Sequence, residues 1–471
     1  MTGVKTTHKD YDKYSKKWSR ARDVVAGQDD VHKAGERYLS RLKDQSDEDY
    51  KAYVKRAGFY NATWRTISGL LGMMFSKSPA MANPAAIDVY LEDVTMSGTS
   101  FNTLAKEIAG EVLEVGRIGI LVDHPAVENV AGITVATAAD MGLRPTMQVY
   151  HAESIINWKY RQVRNRHTLS MVVLQETVMV AESEFEEKEK TQYRVLDLDD
   201  RDLYRVRLFE VNDKGDDVQI GGDLYPLMNN KPLAYIPFAI LGTDGIDSDL
   251  DEPPLIDLVD VNLSHYQTNA DYEHGCHFTG LPTAVVSGYI PEDTSAKLYI
   301  GSQAAWVFPD PNATAQYLEF TGQGLGALEK NLDRKEQQMA VLGARMLAAE
   351  KKQAETATTA AIHRTGENSI LSSIAISVSS ALEWALGVFS EWAGQSGDIV
   401  YQLNRDYNPA MMDAQTLTAL VAAVQAGKLS DESFFDLLQR GDVVASELSF
   451  ENEQARIDAS GPALPALDVA A

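Results

Sequence analysis

The chain has 471 residues, a hydrophobic fraction of 44% and a formal net charge of -25, long enough to bury a full core in one large domain or several smaller ones. With 43 Lys and Arg against 68 Asp and Glu, it lacks the basic balance by which a phosphate-gripping protein displaces counterions, so nucleic acid is either avoided or handled without being held tightly. The single cysteine, Cys276, excludes an intramolecular disulfide and fits a reducing compartment such as bacterial cytoplasm.

The imbalance is uneven. The stretch from Met1 to Arg65 is net positive and carries a third of the basic residues, which leaves the rest more acidic than the total suggests. The first ten residues are polar, without the apolar run of a signal peptide. No apolar stretch is read as long enough to span a bilayer, so a soluble protein without a membrane partner is expected.

From Tyr11 to Phe75 the pattern is helical. Asp47, Glu48 and Asp49 sit where a helix start favours acid, and Tyr50, Tyr53, Val54 and Ala57 recur at helical spacing. Thr63 to Phe75 reads as an apolar core helix that Ser78-Pro79 ends. Ser100 to Glu114 predicts an amphipathic helix stopped by Gly116, with a short buried strand at Ile118 to Val122. Ala126 to Gly142 reads as a loop.

Pro145 to about Gly221 is β-rich. The runs at 146–150, 155–160, 168–180, 193–198 and 203–211 are rich in branched and aromatic residues and separated by turn signals such as Asn212-Asp213-Lys214-Gly215, predicting an antiparallel meander. The acidic run Glu182 to Glu187 would be a solvated hairpin tip.

Pro253-Pro254 opens a long helix from Leu255 to His274. A compact segment, 281–320, follows, with strand-like runs at Thr283 to Ser287 and Ala304 to Phe308 around a short helix near Glu292 to Leu298. A second long helix covers Leu325 to Leu347. Its apolar residues Leu325, Leu328, Leu332, Met339, Leu342 and Met346 form a seven-residue repeat broken at Lys335, the seam of a helix lying along another helix. Glu350 to Ala361 is small and polar, headed by Lys351 and Lys352. A long helix follows at Ile362 to Trp392, then helices at Asp413 to Ala426 and Ser430 to Arg440, and a Pro/Ala-rich, disordered end from Ala459.

The chain carries no phosphate-binding Gly-rich loop with its Lys-Ser/Thr pair and no dinucleotide fingerprint, which excludes a motor ATPase. His265 and His274 lie nine residues apart, two and a half helical turns, too far to share an ion. Asp257 and Asp260 share a helix side, where a solvated or channel-facing role is expected over acid–base chemistry. No enzyme, metal or cofactor is expected.

This layout resembles the tailed-bacteriophage portal (head-to-tail connector) family. The resemblance rests on Tyr50 to Pro79 (YKAYVKRAGFYNATWRTISGLLGMMFSKSP), Gly110 to Asp123 (GEVLEVGRIGILVD) and Pro253 to Leu258 (PPLIDL), within a pattern spanning about Tyr11 to Val444. It implies an α+β portal fold. Residues 1–252 would hold N-terminal helices and the β-rich wing; 253–280 the first stem helix; 281–320 a small α/β clip; 321–347 the second stem helix; 348–361 a tunnel loop; 362–408 the long wing helix; and 409–471 a helical crown and tail, too short after Ser449 for a long internal barrel.

Site residues follow from the same resemblance. Lys351, Lys352, Gln353 and Thr356 would face DNA. Asp257, Asp260, Leu328, Leu332, Met339 and Leu342 would belong to the stem, and Tyr289 and Trp306 to the clip. The implied function is a homo-oligomeric ring of twelve subunits at a capsid vertex, assembled in the host cytoplasm and carried in the virion. It would pass double-stranded DNA, dock the terminase and then the head–tail adaptor, and contact major capsid and scaffolding proteins. A multimeric head-completion component that never touches DNA stays open as the alternative.

Overall fold

The computed structural model describes residues 3–125, 142–163, 165–247, 249–280, 283–288, 306, 308, 311–318, 324–346, 369–405, 407, 414–440, 444 and 448–459. The predicted loop at 126–141, the short helix near Glu292 to Leu298, Lys351, Lys352, Gln353, Thr356, Tyr289, the first turns of the predicted 362–392 helix and the C-terminal end beyond 459 lie outside these residues. The described fold is mixed α+β.

The helices begin where the sequence supplies caps. Helices α1 (Tyr11–Ala26) and α2 (Gln28–Ala34) are followed by α3 (Asp47–Arg56), whose Ser46 Oγ accepts from Asp49 N at 3.1 Å, with three acids in the first turn and Lys55 and Arg56 in the last. Asn61 caps α4 (Ala62–Met74) through Trp64 N at 3.0 Å. After the short strand β1 (Ala80–Ala82) and helix α5 (Asp88–Leu91), Ser100 caps α6 (Phe101–Val115). Gly116, left-handed at φ 74°, ends α6; a Cβ there would also lie 3.1 Å from Glu252 O.

Two sheets organise the middle of the chain. Strands β2 (Arg117–Asp123) and β3 (Thr146–His151) form an antiparallel sheet in the order β11-β2-β3 with β11 (Phe238–Gly242). The larger sheet is a five-stranded antiparallel meander of β4 (Ile155–Val163), β5 (Arg166–Ala181), β6 (Glu187–Leu198), β7 (Tyr204–Val211) and β8 (Asp217–Leu224). The small pair β9 (Leu227–Met228) and β10 (Lys231–Pro232) precedes β11. The meander differs from expectation at both ends, and β8, beyond the last predicted run at 203–211, is an added strand. Residues 146–150 leave it to pair with β2, because the buried run Ile118 to Val122 needs hydrogen-bonded neighbours on both edges.

Helix α7 (Ile256–Gly280) leads to a hairpin of β12 (Thr283–Ser287) and β13 (Thr314–Leu318), then α8 (Leu325–Arg345). The partner of β12 is 314–318, a strand not marked from the sequence; of the predicted run Ala304 to Phe308 only Trp306 and Phe308 are among the described residues, neither in a strand, and the rest lies outside them. Thr314-Ala-Gln-Tyr-Leu offers five pairing residues free of proline.

Helix α9 (Ile370–Trp392), capped by Ser369, is long and apolar enough by length and composition to cross a membrane, contrary to the expectation that no segment is. Its residues are mostly buried inside the fold against α6 and the β11-β2-β3 sheet, as for a helix apolar all round at the centre of a large protein. Strand β14 (Val400–Gln402) pairs with β1, and helices α10 (Ala414–Gln425), α11 (Asp431–Arg440) and α12 (Phe450–Ala459) follow. The third of these was not anticipated from the sequence.

A charge cluster fixes α1 to the body. Arg22 donates to both oxygens of Glu111, at 2.8 and 2.5 Å, and lies 3.1 Å from both Glu114 and Glu153. His151 Nδ1 sits 3.1 Å from Glu111. Burial pushes the Glu111 carboxyl up, but the hydrogen bonds from His151 and Arg22 outweigh it and hold the group below its ordinary range. Glu114, also buried but less well served, is pushed above its range.

Candidate functional site

The site is a rod made of two helices. α7 and α8 run antiparallel. Near the hairpin, a Cβ on Gly275 would meet Leu325 Cδ2 at 2.6 Å, and midway His265 faces Glu336 at 3.5 Å. At the other end Asp257 and Asp260 share a groove with Arg334 and Arg345. Twenty-five residues give α7 a length of about 37 Å. Up to Ala270 one side of it is buried against the body, with Asp257, Asp260 and Gln267 exposed, while from Asp271 onward it is exposed or half-buried, so the outer part of the rod projects with the hairpin.

Of the predicted seam residues, Leu332, Met339 and Met346 are buried, whereas Leu325, Leu328 and Leu342 remain partly exposed. Lys335, the break in the repeat, crosses to the other helix, where its Nζ donates to Ser264 O at 2.8 Å and Thr268 Oγ1 at 2.5 Å. Burial pulls its ammonium below the usual lysine range. Lys335→Leu restores the apolar stripe and removes no partner that depends on it, since Ser264 O stays within the α7 ladder and Thr268 can rotate its hydroxyl. Its midpoint of urea unfolding should match or exceed that of the parent. Lys335→Glu, placing a carboxylate against a carbonyl, should lower stability by about 2 kcal/mol. A loss in the Leu variant as large as in the Glu variant would contradict this.

The inner half of α7 is stitched to the N-terminal segment by side-chain amides. Asn262, fully buried, donates to Tyr60 O at 2.7 Å and accepts from Thr63 N at 3.1 Å and Thr63 Oγ1 at 3.0 Å. Gln267 donates to Tyr38 O and Asn269 to Gly58 O, and Asp271 accepts from the Tyr53 hydroxyl at 2.6 Å. Sequence reading missed this ladder. Its trace was the polar set Asn262, Gln267, Asn269 and Asp271 on a helix that is otherwise half apolar.

Asp257 and Asp260 are exposed and line a groove of about 620 Å³ with Val261, Arg334, Val341 and Arg345; Asp260 also pairs with Arg20 at 3.2 Å. His265 and His274 face different partners, Glu336 and Arg56, and burial lowers the pKa of both. No group of three metal-ligating side chains exists among the described residues. Trp306 is half-buried in the segment between the hairpin strands. Phe278 and Tyr317 are exposed on the projecting part, and Val341 is exposed in the groove beside Asp257 and Asp260.

A family model described as a domain of unknown function (DUF4055) matches residues 254–393, which hold the rod, the hairpin and α9. Comparison with curated proteins finds no match. Among solved structures the chain is similar to a chain of the virion of a native gene transfer agent particle, with 13% identity, TM-score 0.37 and coverage of 93% of this chain and 100% of that one. It is similar to a neck chain of an empty gene transfer agent particle computed with C6 symmetry (13%, TM-score 0.40, 85% and 95% covered). A neck chain of the native particle computed with C12 symmetry gives 14%, TM-score 0.38, and 87% and 97%. At these values the likenesses assign no role.

Proposed function

We propose that this chain is a portal subunit, a non-enzymatic component of a twelve-membered ring through which double-stranded DNA enters and leaves a capsid. The observation that carries the reading is the antiparallel rod α7–α8 with a small hairpin at its end, seated on a body that clamps its inner half. In this reading the rod is the stem, and the β12–β13 module is the clip, docking first the terminase and then the head–tail adaptor. The β4–β8 meander is the wing and meets the major capsid and scaffolding proteins. The ring sits at a portal vertex of the virion.

The net charge of -25 supports a conduit, because an acidic wall repels a polyanion and keeps it from adhering. Lys351 and Lys352, with Gln353 and Thr356, then guide the duplex at the narrowest point. Lys351→Glu combined with Lys352→Glu should lower DNA packaged per particle and leave ring assembly unchanged. Normal packaging by this double variant would remove the pair from the mechanism.

A further inference from the structure

Arg117 opens β2 and is 1% exposed, yet none of its guanidinium nitrogens has a hydrogen-bond partner. The group rests instead on Trp158, with the guanidinium carbon 4.0 Å from the ring centroid. Burial pulls its pKa down to about 10, so it stays charged at neutral pH. A cation–π contact is weaker than the charge-assisted hydrogen bonds that these buried N–H donors lack, so this position leaves the cation under-compensated.

A carboxylate stands across the ladder. Arg117 pairs with Gly242 in the β2–β11 register, and residues directly opposite present their side chains to the same face. Gly242 has no side chain to present, and a Cβ there would collide with Oδ2 of Asp251, whose carboxylate thus fills the place opposite Arg117. Oδ2 accepts from Thr243 N at 2.6 Å and from Thr243 Oγ1 at 2.8 Å, while Oδ1 has no hydrogen-bond partner among the described residues. Both oxygens of a carboxylate accept, so Asp251 has room for the guanidinium without giving up Thr243. The charges of Asp247 and Asp251 both act on Arg117, but neither pairs with it.

The two positions serve different parts of the molecule. On the Trp158 side, His8 stacks on the same ring with centroids 4.0 Å apart, His8 N donates to Ile156 O at 2.8 Å and Asn157 Nδ2 to Thr6 O at 2.8 Å, so the N-terminal arm is seated there on β4. On the Asp251 side, Glu252 and Pro253 pack against Gly116 and lead into α7. We infer that Arg117 moves between these positions: stacked on Trp158 it backs the seat of the arm, and paired with Asp251 it ties the entry of the rod to β2. Loss of the His8 ring loosens Trp158, weakens the cation–π contact and shifts Arg117 towards Asp251. One side chain, serving one position at a time, thereby couples docking of the arm to anchoring of α7.

The test is a double-mutant cycle of Arg117→Met and Asp251→Asn, read by urea unfolding of the full chain and repeated in a His8→Ala background. The two changes should couple by about threefold or more in the folding constant in the parent, and by about tenfold or more in His8→Ala, where the paired position predominates. Asp247→Asn in place of Asp251→Asn supplies a nearby charge that does not stand opposite Arg117, and should couple by less than about twofold. Coupling to Asp251 below about twofold in both backgrounds, coupling that His8→Ala leaves unchanged, or equal coupling to Asp247 would overturn the inference. Amide hydrogen exchange gives a second reading that leaves Arg117 and Asp251 intact. Protection of residues 251–259 should rise in His8→Ala relative to the parent, and a fall or no change would overturn the inference as well.

Discussion

Arg22→Met should lower the free energy of unfolding by about 3 kcal/mol, because it leaves buried carboxylates without their cation. Arg22 is the only described cation other than His151 that pairs with Glu111, which is 8% exposed, and it also serves Glu114 and Glu153. Methionine fills much of the arginine volume, so the loss reports charge and hydrogen bonding more than a cavity. The pH dependence carries the sign. In the variant the folded-state pKa of Glu111 rises above its unfolded value and that of Glu114, already raised in the parent, rises further, so protonation favours the fold and the deficit shrinks as pH falls from 7 towards 5. His151 has the same sign in parent and variant: the hydrogen bond to Glu111 raises its folded pKa, so its contribution is present in acid and fades as pH climbs through that raised value, and it does not reverse the trend of the deficit. Urea unfolding of parent and variant at two pH values checks both. A deficit that is small, or that grows in acid, would contradict the account.

Asn262→Leu should be comparably severe. The change strands Thr63 N, one of the donors at the start of α4 that no helical carbonyl can reach, and it removes the acceptor of the Thr63 hydroxyl and one donor to Tyr60 O. Thr63 is fully buried, so water cannot substitute. A loss of about 3 kcal/mol follows from stranding buried polar groups of this kind. The same variant frees the inner half of α7 from the N-terminal segment, so amide hydrogen exchange should quicken in both Ala62–Met74 and Ile256–Ala270. Unchanged exchange and an unchanged unfolding midpoint would show that the ladder does not hold the rod.

Local signals were legible in the sequence because each depends on adjacent residues. Asp47, Glu48 and Asp49 mark a helix start and Gly116 a helix end within a turn of themselves, and the branched and aromatic runs at 168–180, 193–198 and 203–211 fall within strands. The heptad on α8 survives with Leu332, Met339 and Met346 inside. What stayed hidden depends on distant partners. Strand 146–151 carries the same residue types as its neighbours, and only the need of β2 for a second edge assigns it to another sheet. Arg22 reads as one more base on a charged helix until Glu111, Glu114 and Glu153 surround it. Lys335 reads as a defect in a repeat until its ammonium is seen to bridge two helices.

Class averages of the purified full-length protein by negative-stain electron microscopy test the central claim most directly. The account predicts closed rings of about twelve copies around an open bore wide enough for duplex DNA, with the α7–α8 rods grouped at one end. Monomers at high concentration, or assemblies whose centre is closed, would contradict it.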